Sequence, residues 1–163
     1  MGEADGYYHS EAEKYFQDAY QHQTQGHLEE AIQLYKKSIE LYPTAEAHTF
    51  LGWAYSFRGR YGEAIDECKR AIAIDPEFGN PYNDIGAYLI ETGHLDEAVE
   101  WLEKALLAKR YESYCFPHHN LGRIWEQKGN WWRAYESYHQ ALSSSPEYTL
   151  AKKALARLAG MMN

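Results

Sequence analysis

The sequence has little of several features that mark broad classes of protein. It has two cysteines, Cys68 and Cys115, among 163 residues, too few for a disulfide framework, so reduced thiols in a cytoplasmic setting are expected. It has no run of about 18 apolar residues, which predicts that no segment crosses a membrane. The opening stretch MGEADGYYHSE has neither a basic region nor an apolar core, so no export signal is expected.

Basic residues are also scarce. Lys and Arg together number 16 against 24 Asp and Glu, which gives a formal net charge of -8 at pH 7. Binding to a phosphate backbone needs clustered Lys and Arg that release counterions, so no nucleic acid partner is expected. A disordered chain is excluded as well, because the hydrophobic fraction is 45% and the aromatic fraction 15%, enough apolar area to form a packed core.

Sequence motifs of catalysis are missing. The chain contains no GxxxxGK[ST], HExxH, GxSxG or GxGxxG, the patterns of common phosphate-binding, hydrolytic and dinucleotide sites. The nearest chemical grouping is CFPHH, in which Cys115 and His119 are four residues apart on one predicted helix face, beside His118. Such a pair could bind a soft metal, but a structural zinc site needs four ligands. We therefore expect neither an enzyme nor a bound metal or cofactor.

What the sequence does contain is an internal repeat with a period near 34 residues. Its marker is a glycine followed five residues later by an alanine. The marker occurs four times, at Gly26 and Ala31, Gly59 and Ala64, Gly93 and Ala98, and Gly129 and Ala134. Recurrence at a fixed period indicates an array of one structural unit, in which each unit packs on its neighbours.

The second unit shows what each repeat should form. Small and apolar residues recur at spacings of three and four, which predicts two amphipathic helices at roughly 45–57 and 62–74. Gly59 lies between them and can end the first helix in a left-handed conformation. Pro76 follows the second helix, cannot extend it, and so ends the unit.

Glycines also recur inside the predicted first helices, at Gly52, Gly86 and Gly122. A glycine within a helix costs about 1 kcal/mol relative to alanine. Three such glycines in the same register therefore predict places where two helices approach too closely for a side chain.

These columns resemble the tetratricopeptide repeat, a helix-turn-helix unit of 34 residues, over about 12–148. The resemblance is carried further by large residues at Tyr15, His48, Tyr82 and His118, and by closing prolines at Pro43, Pro76 and Pro146. The chain departs from the pattern before the fourth unit, where Arg110 replaces a closing proline and two extra residues fall around Tyr111–Tyr114. The excess predicts an altered angle for the last unit.

The resemblance implies an all-α fold, a right-handed superhelical α-solenoid of four helix pairs. The four units are expected at 12–44, 45–78, 79–114 and 115–148. A single amphipathic helix over 149–160 would cap the open end, and residues 1–11 would form an N-terminal extension whose order the sequence leaves open.

Tetratricopeptide arrays bind peptides or partner segments in a concave groove lined by the first helix of each pair. The resemblance therefore implies a protein-interaction scaffold. The groove residues favoured for partner binding form an aromatic set toward the N-terminal half and a polar set toward the C-terminal half. The aromatic set is Phe16, Tyr20, Phe50, Trp53 and Phe57, and the polar set is Asn83, His119, Asn120 and Arg123.

The aromatic set leaves alternatives open. Its positions lie outside the packing columns, and exposed aromatic patches usually mark an interaction site. The same rings could instead pack against residues 1–11, against a second copy of the chain, or into the core. A self-associating structural subunit and a targeting module of a larger enzyme complex are accordingly the rival functions.

Some members of the family bind the acidic chain ends of heat-shock chaperones through a set of Lys, Asn and Arg side chains. This chain does not carry that set: Phe16 and Tyr20 in the first unit, or Thr49 and Trp53 in the second, take the Lys and Asn places, and Asp84 stands where an Arg is needed. The sequence therefore favours an apolar or amphipathic partner segment, in extended or helical form.

Overall fold

The computed structural model describes the backbone of residues 3–162 and the side chains of residues 6–161. This part of the chain forms nine α-helices. They are α1 (Glu3–Thr24), α2 (Leu28–Leu41), α3 (Ala45–Phe57), α4 (Tyr61–Ile74), α5 (Asn80–Glu91), α6 (Leu95–Leu107), α7 (Cys115–Gln127), α8 (Trp131–Ser144) and α9 (Thr149–Met162). The two helices predicted for the second unit agree with α3 and α4 to within one residue at each end.

Helices that follow one another in the chain pack on one another. The most extensive contacts join α1 to α2, α3 to α4, α5 to α6 and α7 to α8, and each pair then packs on the next. The main contacts of the described helices all lie between helices no more than two positions apart. This one-dimensional arrangement is an α-solenoid, so the predicted fold class is confirmed.

The turn inside each pair depends on a glycine. Gly26, Gly59, Gly93 and Gly129 have φ angles of 82°, 71°, 82° and 72°. Residues with a Cβ atom rarely adopt this left-handed backbone conformation, because their Cβ approaches the carbonyl oxygen that follows. The repeated glycine therefore sets the tight connection between the first and second helix of every unit.

The glycines inside the first helices lie at close helix contacts, as predicted. A Cβ atom on Gly52 would come within 2.9 Å of the carbonyl oxygen of Ala64, and one on Gly122 within 2.4 Å of the Tyr138 ring. Close packing of α3 on α4 and of α7 on α8 thus requires glycine at these places.

The irregular connection before the fourth pair is ordered by backbone pairing. The Arg110 N–H donates to the carbonyl of Glu77 at 2.9 Å, and the Gly79 N–H donates to the carbonyl of Arg110 at 3.1 Å. A Cβ on Gly79 would lie 2.4 Å from Tyr111. The connection between α6 and α7, which holds the two extra residues, is thereby hydrogen-bonded to the connection between α4 and α5.

The Arg110 side chain strengthens the pairing of these two connections, and its contacts with Asp75, Glu46 and Phe78 are here called the Arg110 junction. Its guanidinium donates to Asp75 Oδ2 at 2.8 Å through Nε and to Glu46 Oε1 at 2.9 Å through Nη1. It also lies over the Phe78 ring, 4.2 Å from the ring centre. Arg110 thereby joins elements of the second and third units at the place where the repeat pattern calls for a proline.

Each end of the array carries helix beyond the four predicted units. Residues 3–11 of the predicted extension belong to α1, and residues 1–2 lie outside the described residues. The early part of α1 packs on the end of α2, because Ser38 Oγ donates to the Ala12 carbonyl at 2.8 Å and His9 contacts Tyr42 edge-on at 4.8 Å. At the other end α9 packs on α8 and buries Ala151, Ala154 and Leu158.

Candidate functional site

The concave surface is formed by the first helices of the pairs. Contacts across neighbouring pairs join α1 to α3, α3 to α5 and α5 to α7, whereas no contact of similar extent joins α2 to α4, α4 to α6 or α6 to α8 among the described residues. Helices that touch across neighbouring units lie on the inner side of the curve, because spacing is shortest there. The four first helices therefore line the groove.

The five predicted aromatic residues form one continuous cluster, here called the aromatic band (Phe16, Tyr20, Phe50, Trp53 and Phe57). Phe50 is its centre, with ring centroids 5.2 Å from Phe16, 5.8 Å from Tyr20 and 5.7 Å from Trp53. Trp53 in turn contacts Phe57 at 5.3 Å. Distances of 4.5 to 7 Å with tilted or edge-on rings are favourable aromatic geometry, so α1 and α3 present a single apolar surface.

The band has an anchored inner part and an exposed outer part. Phe16 and Phe50 are half-buried and contact Tyr35 of α2, a core residue. The outer rings remain in contact with water: Tyr20 is 41%, Trp53 38% and Phe57 59% exposed. The inner rings therefore fix the position of the outer ones.

Three members of the polar set and Glu91 form a hydrogen-bonded row across α5 and α7, here called the polar ladder (Asn83, Asn120, Arg123 and Glu91). Asn120 Nδ2 donates to Asn83 Oδ1 at 3.1 Å, and Arg123 donates to Asn120 Oδ1 at 3.3 Å and to Glu91 Oε1 at 2.7 Å. Both asparagines are buried. Both asparagine amides, and part of the Arg123 guanidinium, are therefore hydrogen-bonded within the chain before any partner binds.

His119 lies apart from the ladder. Its ring contacts Tyr138 at 5.4 Å and Tyr148 at 5.3 Å. Burial, and then the positive charge of Arg123, lower the pKa of His119 to about 4, so the ring is neutral at pH 7.

Asp84 is a half-buried carboxyl group near the middle of the groove. Burial raises its pKa to about 7, even though a hydrogen bond from Asn83 Nδ2 at 3.4 Å acts in the opposite direction. Burial and, after it, the Asp84 charge raise the pKa of Tyr88 and Tyr111. The carboxyl group thus lies among neutral groups, which makes its charged form unfavourable.

A pocket of about 680 Å³ opens between α7, α8 and α9; it is called the C-terminal pocket below. It is lined by His119, Arg123, Glu126, Gln127, Trp131, Tyr138, Leu150, Lys153, Ala154, Arg157 and Met161. The repeat pattern of the sequence does not predict this pocket. Its only local signal is that α9 carries Lys152, Lys153 and Arg157 without any acidic residue.

The CFPHH segment does not form a metal site in the described residues, where no three His, Cys, Asp or Glu side chains are grouped to hold an ion. Cys68 and Cys115 are both buried and are not joined by a disulfide. Burial raises the pKa of each thiol, so both remain protonated and weakly nucleophilic at pH 7.

Among residues 3–162, none of the helices is both long enough and apolar enough to pass through a lipid bilayer.

An all-α array of helix pairs with an aromatic concave surface defines the class of this protein as a repeat solenoid. Tetratricopeptide repeat family models match residues 16–77, 58–114 and 118–151. The chain belongs to the tetratricopeptide repeat family, whose fold is a protein–protein interaction module.

The sequence is 39% identical over 77 residues to the small glutamine-rich tetratricopeptide repeat-containing protein 2 of Mycosarcoma maydis. The match covers 47% of this chain and 22% of that protein, so this chain corresponds to a minor part of its relative.

Two solved structures show the same fold. The pilF protein of Pseudomonas aeruginosa superposes with a TM-score of 0.86 at 23% identity, over 94% of this chain and 69% of the other. YrrB, described as a tetratricopeptide repeat protein with an unusual peptide-binding site, superposes with a TM-score of 0.70 at 19% identity, over 88% and 73% of the two chains. At these identities the likeness concerns the fold alone.

Proposed function

We propose that this chain is a non-catalytic scaffold that binds an apolar or amphipathic segment of a partner protein on the aromatic band. The observation that carries this proposal is the exposure of Tyr20, Trp53 and Phe57 beside two rings anchored on the core. The interaction role of the fold supports it. The two buried, unpaired thiols support a reducing, cytoplasmic setting.

The exposed part of the band is large enough to provide useful binding energy. Aromatic side chains bury about 150–250 Å² each when fully covered, so the exposed fractions of the three outer rings amount to roughly 280 Å². At about 25 cal/mol per Å², covering them contributes about 7 kcal/mol. Losses of translational and side-chain freedom offset part of this gain.

Shape and polarity favour an amphipathic segment as the ligand. The tyrosine hydroxyl of Tyr20 and the indole N–H of Trp53 supply polar groups beside an apolar surface. A helix with one apolar face, or an extended segment with alternating apolar side chains, matches such a surface.

The test replaces the outer rings and leaves the inner ones intact. In a pull-down from native cell extract, the W53A/F57A double variant should recover at least about tenfold less of the specific partner than the wild type, because it loses most of the exposed apolar area. Circular dichroism should show unchanged helix content.

Trp132→Ala is the matched control, since Trp132 is 67% exposed on a second helix, away from the groove. Equal loss of partner in W132A and in the double variant would contradict the proposal, and so would collapse of the circular dichroism spectrum in the double variant. If light scattering showed oligomers of the wild type that the double variant cannot form, the band would instead be the contact of a self-associating structural subunit.

A further inference from the structure

The C-terminal pocket interrupts the pattern of contacts along the concave surface. First helices of neighbouring pairs touch from α1 as far as α7, whereas α7 and α9 line opposite sides of a cavity of about 680 Å³. Ligand pockets typically enclose about 300–1,000 Å³. The space is therefore large enough for two or three side chains of a peptide.

The charge of the pocket is opposite to that of the whole chain. The chain has a net charge of -8, but the pocket is lined by the cations Arg123, Lys153 and Arg157 and by one carboxylate, Glu126. Burial alone would raise the pKa of Glu126, but hydrogen bonds from Arg157 and Tyr138 outweigh burial and lower it. Glu126 is thus ionised at pH 7 and pairs with Arg157, while Arg123 pairs with Glu91 at 2.7 Å, so the excess positive charge around the cavity is that of Lys153.

Several donors of these cations are not used within the chain. Arg157 donates to Glu126 Oε2 at 2.5 Å through one nitrogen, although a guanidinium has five N–H donors. Lys153 makes no hydrogen bond or ion pair with the described side chains, whereas its neighbour Lys152 pairs with Glu147 at 2.9 Å. The pocket therefore offers donors suited to a carboxylate.

The remaining walls are apolar and open to water. Leu150 is 52% and Met161 59% exposed, and Trp131 contributes an exposed indole. A free inorganic anion would leave this surface uncovered. A peptide that places a carboxylate next to an apolar side chain would satisfy the cations and cover the apolar walls together.

We propose that the C-terminal pocket is a second binding site, which holds an acidic residue of a partner peptide together with its apolar neighbour. This site is separate from the aromatic band, and its existence does not depend on the proposed function.

The experiment measures binding of a fluorescein-labelled, C-terminally amidated octapeptide, Gly-Ser-Gly-Glu-Leu-Gly-Ser-Gly, to the full chain by fluorescence anisotropy. Its single Glu and Leu suit the pocket, and it lacks the row of apolar side chains that the aromatic band is proposed to bind. A second peptide with Gln in place of the Glu keeps the length and the leucine. The Glu peptide should bind the wild type at least about tenfold more tightly than the Gln peptide, because only the carboxylate can pair with the pocket cations.

The variants K153E and K152E make the same charge change at adjacent positions of α9, one lining the pocket and one outside it. We expect K153E to weaken binding of the Glu peptide at least about tenfold and K152E to weaken it less than about threefold. The W53A/F57A variant should bind this peptide like the wild type, which separates the pocket from the aromatic band. Thermal melts of all variants confirm that each remains folded.

Four results would overturn the proposal. They are equal affinity for the Glu and Gln peptides, equal effects of K153E and K152E, loss of binding in W53A/F57A, and displacement of the peptide by equimolar inorganic phosphate. The last would show a general anion site without recognition of a peptide.

Discussion

The two halves of the concave surface are built on the same helical unit but present different chemistry. In the N-terminal half the aromatic band leaves three rings exposed, whereas in the C-terminal half the polar ladder satisfies its own donors and acceptors. Covering the band releases water from apolar area and is favourable. Binding to the ladder requires breaking hydrogen bonds that already exist, so its net gain is small. The band should therefore contribute more affinity than the ladder.

The difference arises from a few columns of the repeat. Positions that hold Phe50, Trp53 and Phe57 in the second unit hold Asp84, Ala87 and Glu91 in the third and Asn120, Arg123 and Gln127 in the fourth. The alanine column of the second helices (Ala31, Ala64, Ala98 and Ala134) is unchanged and fully buried in all four units. A solenoid can thus change its ligand surface while its internal packing stays constant.

The largest effect is expected from disturbing the packing under the polar half. Gly122→Val should destabilise the chain by about 3 kcal/mol, because its Cβ would overlap the buried Tyr138 ring and push α7 away from α8. Urea unfolding measures this loss. Gly62→Ala is the control, since no atom lies within 4 Å of a Cβ there. Equal stability of G122V and wild type would show that this contact is not close.

An intermediate effect should separate the inner from the outer rings of the band. Phe50→Ala should cost about 2 kcal/mol of stability, since the ring is half-buried and contacts four other aromatic rings. Phe57→Ala should cost less than about 0.5 kcal/mol, as most of its ring is exposed. Thermal unfolding of the two variants provides the comparison. If F57A proved as unstable as F50A, the outer rings would belong to the core.

The smallest effect concerns pH and the boundary between the halves. Because the pKa of Asp84 is raised to about 7, the folded state keeps a proton that the unfolded state loses above about pH 4. The stability that Asp84 contributes is therefore complete below about pH 4 and is lost as pH rises through about 7.

Asp84→Asn removes this titration. The variant should match the wild type at pH 4 and be more stable than the wild type at pH 8, as measured by urea unfolding at both pH values. Titration of His119, whose lowered pKa makes stability fall as pH falls from about 6.5 to 4, is common to both proteins and cancels. A constant difference between the two proteins across this range would contradict the burial of the carboxyl group.

The fold could be predicted from the sequence because its determinants are local. Gly59 and Pro76 mark helix ends within a few residues, and the glycine at position 52 marks a close contact that spacing alone reveals. The aromatic side chains of the band could likewise be identified from their helix face, and the structure brings all five into contact. Whether they bind a partner stays a prediction.

The C-terminal pocket and the Arg110 junction could not be predicted in the same way. Both depend on the position of one helix pair relative to the next. The spacing of residues within a single helix or turn does not reveal that position. Lys153 and Arg157 reach the same cavity as Arg123 only after α9 has packed on α8. The continuation of α1 through residues 3–11 depends likewise on contacts with the end of α2.

The Arg110 junction has a mechanical consequence. A proline stiffens a connection through its covalent ring, whereas Arg110 holds Asp75 and Glu46 through bonds that can open and re-form. Both ion pairs are exposed and are screened by salt, so this connection should loosen from the second unit as ionic strength rises. A proline in the same place would act at any salt concentration.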